Sequence, residues 1–177
     1  ILVGSVLHPS HFGAVFKKIS GGDIVNSKEL RVSDRYNLHV WPNEYAMPFE
    51  ETIKAIALMG STILVFGERK VWAATGNDPG YTSKYLLSDT TPLLRPESLT
   101  LLQGRIYWVT DDGIAVASGD GVRLISAPYF TREMWEWMKP EEMVGLSGDN
   151  SLFFEGAEIS ESLQPWQRRI YNIILPG

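Results

Sequence analysis

Residues 98–126 read SLTLLQGRIYWVTDDGIAVASGDGVRLIS, and this stretch decides the fold. Residues 98–103 and 105–110 are apolar-rich runs that meet at Gly104. Glycine there supplies the positive φ that a tight hairpin needs. Asp111-Asp112-Gly113 predicts the next turn and Gly119-Asp120-Gly121 the one after, because Asp and Gly tolerate left-handed backbone. Strands over 114–118 and 122–126 complete four antiparallel strands in one meander. Such a unit is a propeller blade or part of a barrel.

The same punctuation recurs outward from this stretch. Gly60, Gly104 and Gly148 stand 44 residues apart, each between two short apolar runs. A period in the low forties with several strands per unit is that of a β-propeller. Four such units span nearly all 177 residues, although position 16, where the series calls for glycine, is Phe16. The fold class expected is therefore all-β: a β-propeller or partial propeller of four-stranded antiparallel blades. The expected division is a β segment over 1–50 (an incomplete blade or adjoining domain), blades over 51–96 and 97–140, and a partial blade over 141–177. In the first blade, strands over 63–66 and 69–74 flank a turn at Gly67-Glu68, and 84–88 follows the break at 76–80. Pro92 and Pro96 mark 90–96 as a crossing between units. Ile63, Val65, Ile106, Trp108 and Leu152 follow the three glycines at comparable offsets, so period-two alternation predicts them buried on one face.

One short helix is expected near 131–138, capped by Thr131, favoured by Glu133 in its first turn and stopped by Pro140. Before residue 50, strands are expected over 1–7, 14–18 and 23–26, the last two around Gly21-Gly22. After Gly156 a loop to Gln164 and a last strand over 170–175 are expected.

Composition narrows the function. The chain is 44% hydrophobic and 21% charged, that of a globular domain. It contains no cysteine, which removes disulfides, thiolate metal sites and a cysteine nucleophile. A net charge of −5 argues against nucleic-acid binding through a basic surface. No apolar run approaches a membrane span, and no signal-peptide pattern is present. Because the sequence opens at Ile1 and not at Met, a segment of a longer protein is expected.

Candidate chemistry reduces to structural readings. His8 and His11 flank Pro9 and Ser10 and read, with His39, as surface or turn histidines, since no further metal ligand follows at the required spacing. Asp111-Asp112 reads as a hairpin turn and not a catalytic pair. The glycine-rich stretches 76–80 and 119–121 lack the lysine and helix of a phosphate loop. No nucleophile elbow or zinc-protease motif occurs. Trp72 and Trp108 read as core, while Trp135 and Trp137, two apart on a helix, cannot share a narrow face. Lys17-Lys18 and Arg168-Arg169 are ordinary solvated pairs.

A resemblance enters at residues 32–51. Ser33-Asp34 and His39-Val40-Trp41-Pro42-Asn43-Glu44-Tyr45 resemble the "SE…HAWPxEY" passage of tailed-bacteriophage and prophage virion proteins. Residues 53–66 resemble that group's first hairpin, 71–79 its "xYxxxGxDP" stretch, and 112–121 its "DGLVxVxxxG". Phe130-Thr131-Arg132-Glu133-Met134-Trp135 and Lys139-Pro140 resemble its "FTxxEWxxLxP". The match covers about residues 31–155. It departs at Leu94-Arg95-Pro96-Glu97-Ser98, where the group carries a cysteine-containing passage.

The resemblance implies a non-enzymatic tail component of the virion, similar to the nozzle of short-tailed phages and assembled in the bacterial host cytoplasm. It implies no cofactor or metal. The implied partners are further copies of the chain in a homo-oligomeric ring and other tail proteins, with DNA passing through without specific binding. A ring subunit needs two complementary surfaces, and exposed loops are the natural candidates. The expected interface residues are Asn77, Asp78, Tyr81 and Tyr85 in the 76–85 loop, and Trp135 and Trp137 in the 130–140 region. Two other readings stand beside this one. A receptor- or glycan-binding module predicts exposed aromatics such as Tyr81, Tyr85 and Trp166 on one face. A propeller-scaffold hydrolase or lyase predicts carboxylates converging on the axis.

Overall fold

The structure, a computed structural model, describes residues 2–20, 23–148, 151–156 and 170–174. The expected Gly21-Gly22 turn, residues 157–164 of the expected loop, Trp166, Arg168-Arg169, Leu175 and the side chains of Lys17-Lys18 lie outside them. The described residues fall into two compact units, Ile1–Pro92 and Leu93–Gly177.

The first unit holds two antiparallel sheets. Strands β1 (Leu2–Leu7), β2 (Phe12–Ser20), β4 (Glu29–Val32) and β5 (Met47–Pro48) form one in that order, with β3 (Asp23–Asn26) also paired to β2. Strands β6 (Ala55–Met59), β7 (Thr62–Phe66), β8 (Val71–Thr75) and β9 (Ser83–Ser88) form the other as a simple meander. The β7–β8 turn is closed by Glu51, whose carboxylate accepts from the backbone N–H of Arg69 at 2.8 Å and Lys70 at 3.2 Å. Ile63 and Val65 of β7 stand opposite Ala74 and Trp72 of β8. That face packs on Val15, Leu30 and Val32 of the first sheet.

The second unit repeats the plan. Strands β10 (Thr100–Leu102), β11 (Arg105–Thr110), β12 (Gly113–Ser118) and β13 (Gly121–Leu124) form the meander expected for 98–126. Strands β14 (Met143–Gly148), β15 (Ser151–Gly156) and β16 (Ile170–Ile174) make a three-stranded sheet. Tyr107, Val109, Ile114 and Val116 pack against Leu152, Phe154 and Met143. Close approach here needs a missing side chain: a Cβ on Gly145 of β14 would run into Thr100 Oγ1 and the Ser98 carbonyl.

Helix α1 (Arg132–Trp137) lies between β13 and β14. As expected, the Thr131 hydroxyl caps it, accepting from the Met134 N–H at 3.3 Å. Lys139, with φ 53°, then turns the chain into the left-handed region before Pro140.

Two sequence expectations need correction. The five residues expected to be buried are so, each at 2% exposure or less, but burial is not confined to the face they occupy in each strand. In β7 Leu64 and Phe66 are as buried as Ile63 and Val65, and in β11 every residue from Ile106 to Thr110 is buried. A strand covered on both faces has no reason to alternate and reads as a continuous apolar run. The glycine series is the second. Gly60, with φ +62°, is the first residue of the two-residue turn between Met59 and Thr62. Gly104, with φ +73°, is the second residue of the turn between Leu102 and Arg105, after Gln103 at φ 50°. Gly148 is no turn residue: it pairs with Ser151 inside the β14–β15 ladder and has no left-handed φ. The structural repeat, counted between the equivalent residues Met59, Leu102 and Gly148, is therefore 43 and then 46 residues.

Candidate functional site

Of the expected 76–85 loop, residues 76–82 connect β8 to β9 and are ordered by their own polar groups, while Tyr85 stands in β9. Asp78 Oδ1 accepts from the Gly80 N–H at 2.9 Å, and the Asp78 carbonyl accepts from the Tyr81 N–H at 3.0 Å. A single 3-10 turn, Pro79–Tyr81, results, with Pro79 buried. The 3-10 turn Asn43–Tyr45 packs on it: a Cβ on Gly80 would lie 3.3 Å from Tyr45 Cε1. Two stretches that carry the phage resemblance, 39–45 and 71–79, thus meet in space. Asp78 is a cap, Asn77 is exposed, and Tyr81 (86% exposed) and Tyr85 point outward.

The tryptophan pair divides. Trp135 is 2% exposed, its indole N–H donates to the Thr110 carbonyl at 3.1 Å, and its ring lies 6.2 Å from that of Phe130. It is a core residue that anchors α1 to β11, so it presents no surface to a partner. Trp137 is 65% exposed. Together with Phe130, Glu133, Met134 and Met138 it lines a shallow apolar groove.

Sequence reasoning missed one exposed element. Residues 34–40 form a closed loop in which the Asp34 N–H donates to the Val40 carbonyl and the Val40 N–H to the Asn37 carbonyl, both at 2.9 Å. Tyr36, Leu38 and Val40 are exposed at its tip, with the Arg35 guanidinium 5.7 Å from the Tyr36 ring centroid. Tyr36, Leu38 and Val40 alternate at a two-residue period, a pattern that reads as a strand and gives no sign of the loop.

The histidines also differ from expectation. His8 and His11 do lie in the β1–β2 turn, but they are buried, not on the surface. Their rings stack at 4.1 Å with an interplanar angle of 12°. His8 Nε2 donates to the Ser61 carbonyl at 2.8 Å, and both Nδ1 atoms lie 3.0 Å from Ser10 Oγ. A stacked pair exposes few polar atoms and satisfies most of them locally, which makes burial affordable. His11 Nε2 alone of the four ring nitrogens has no hydrogen-bond partner among the described residues. The His11 pKa is lowered to about 4, by burial first and by the neighbouring His8 second, with Asp78 opposing.

Asp111 and Asp112 occupy the turn between Thr110 and Gly113, where the Asp112 N–H donates to Thr110 Oγ1 at 3.1 Å. Gly113 itself, assigned to this turn from the sequence, opens β12. Among the described residues no three His, Cys, Asp or Glu side chains gather at metal-ligand distance. No helix among them is long and apolar enough to cross a membrane.

No protein-family model matches the chain, and no curated protein matches it. Solved structures do. The N-terminal domain of Nup159 is similar with a TM-score of 0.54 at 13% identity, over 99% of this chain and 45% of that one. Nup159 in a Saccharomyces cerevisiae complex with Dbp5, Gle1, IP6 and ADP is similar with a TM-score of 0.51 at 12% identity, over 98% of this chain and 44% of that one. The chain thus spans less than half the length of either. At such identity the likeness speaks for architecture, and the chain has an all-β fold of β-propeller type, built from antiparallel meander blades with one short helix.

Proposed function

We propose that the chain is a non-enzymatic structural component of a bacteriophage tail, acting by assembly into a ring that forms part of the DNA-ejection conduit. What supports this reading is the ordered series of stretches over 31–155 that resemble passages of virion proteins. The function of a propeller is set by its surface and not by its fold. Exposed apolar side chains among the described residues include Tyr81, Tyr85 on β9, those of the 34–40 loop, and Trp137 with Met134 on α1. A net charge of −5 suits a conduit, since an acidic wall gains nothing from counterion release and does not hold a passing polyanion.

Electron microscopy of the purified chain and of the virion tests the reading. Closed rings, and labelled chain at the tail, are expected. A protein that stays monomeric and is absent from particles, or that turns over a polysaccharide or nucleotide, overturns it. The exposure of Tyr81 and Tyr85 favours one second reading, a glycan- or receptor-binding module. In that case Tyr81→Ala abolishes binding to a host-surface glycan while leaving any ring intact.

A further inference from the structure

Two features present apolar side chains to solvent. One is the groove of Phe130, Met134, Trp137 and Met138 along α1. Its surroundings are acidic. Arg132 is committed to Glu136 at 3.0 Å and lies 4.0 Å from Asp112, and Lys139 lies 4.0 Å from Glu142. Glu133, on the groove wall, and Glu141 have no ion-pair partner among the described residues. The groove is thus an apolar floor beside uncompensated negative charge.

The other feature is the 34–40 loop. It projects Tyr36 (90% exposed), Leu38 and Val40, and it carries Arg35, which no carboxylate pairs among the described residues. The loop is closed by its own backbone hydrogen bonds. A pre-ordered apolar tip loses little conformational freedom on docking.

We infer that the 34–40 loop of one copy of the chain docks into the α1 groove of a second copy, with Tyr36 and Leu38 on the apolar floor and Arg35 facing Glu133. The inference rests on the assembly reading above and names its contact. The occupant is chosen by complementarity of charge and polarity: apolar and positive against apolar and negative. A further exposed aromatic surface, Tyr81 to Leu86, fits less well. Its cation, Lys84, is already spent on the Pro48 carbonyl and the face of Phe49. A loop of one unit and a groove of the other are different surfaces of the chain, so the contact is heterologous, as a ring requires.

The absence of cysteine allows a clean cross-linking test on the full chain. Leu38→Cys and Met134→Cys are made separately and treated with a short bismaleimide, alone and mixed. Cross-linked dimer in the mixture and none from either variant alone is expected. Arg35→Glu and Glu133→Arg are each expected to weaken self-association by on the order of tenfold, and the double reversal to restore it. All four positions are at the surface, and circular dichroism checks that the variants fold. If the chain assembles but the mixture does not cross-link, or a single variant cross-links to itself, the docking is wrong and the assembly reading survives. If the unmodified chain never self-associates, both fall together.

Discussion

Acidification from pH 7 to pH 4 is expected to remove about 3 kcal/mol of stability from the first unit through one side chain, His11. In the folded chain its ring is 1% exposed, stacks on His8 at 4.1 Å and leaves Nε2 without a partner among the described residues. A proton added there creates a buried charge beside a second imidazole, so the pKa falls from 6.5 to about 4. The unfolded chain has no such restraint. Above pH 6.5 His11 is neutral in both states and contributes no pH dependence. As pH falls below 6.5 the unfolded chain takes up a proton that the folded chain refuses, and stability drops until the folded pKa near 4 is reached. At about 1.4 kcal/mol per pH unit the interval amounts to about 3 kcal/mol, of which about 2 is lost by pH 5. The carboxylates Glu50 and Glu97, both held below their ordinary 4.5 chiefly by hydrogen bonds, act at lower pH than His11. Urea unfolding at half-unit steps, with hydrogen exchange read at residues 2–16, measures the slope and locates it. His11→Phe keeps a flat ring against His8 and carries no titration, so it loses the part of the slope that His11 supplies. A flat profile in the native chain, or the full slope retained in His11→Phe, refutes the assignment.

Other perturbations separate anchor from surface. Trp135→Ala removes a buried ring and the hydrogen bond to Thr110, costing about 3–5 kcal/mol by denaturant unfolding, whereas Trp137→Ala changes stability by no more than about 0.5 kcal/mol. Lys139→Gly relieves a left-handed φ of 53° and is expected to raise stability by about 1 kcal/mol, less a small loss from the 4.0 Å pair with Glu142. Tyr107→Phe removes a buried hydroxyl that finds no partner among the described residues, so unfolding should show a gain of about 1 kcal/mol; a loss would reveal a bonded hydroxyl.

The blades are legible in the sequence because their turns carry chemistry. Asp111-Asp112 and the glycines at 104 and 121 punctuate β10–β13 so sharply that strand order follows without any burial data. The first sheet is harder to see. Its β1–β2 turn is built from two histidines, a proline and a serine, and β5 is two residues long. Neither leaves a turn dipeptide or an alternating run. Gly148 misleads for a similar reason: a glycine beside a turn and a glycine within one look alike until the ladder register is known. Of the expected interface residues, Tyr81, Tyr85 and Trp137 are exposed, while Trp135 is buried. Spacing separates the two tryptophans, but which one faces inward depends on the position of Thr110, 25 residues away. The 34–40 loop is hidden by its period: Tyr36, Leu38 and Val40 alternate as a strand would, whereas its shape comes from backbone bonds between Asp34, Asn37 and Val40.

The burial of β7 and β11 on both faces bears on how such a sequence can diverge. A half-exposed strand leaves every second position open to neutral drift, and related chains keep a recognisable two-residue rhythm there. From Ile63 to Phe66 and from Ile106 to Thr110 no position offers that freedom, because each side chain touches protein. Change in these strands is confined to exchanges among apolar or small residues, with volume traded between neighbours. The exposed turns, including 119–121 and the tip of 34–40, are free to vary in length and composition. Such a chain drifts in its connections while its strands hold their character, and its repeat lengthens or shortens by a few residues from one blade to the next.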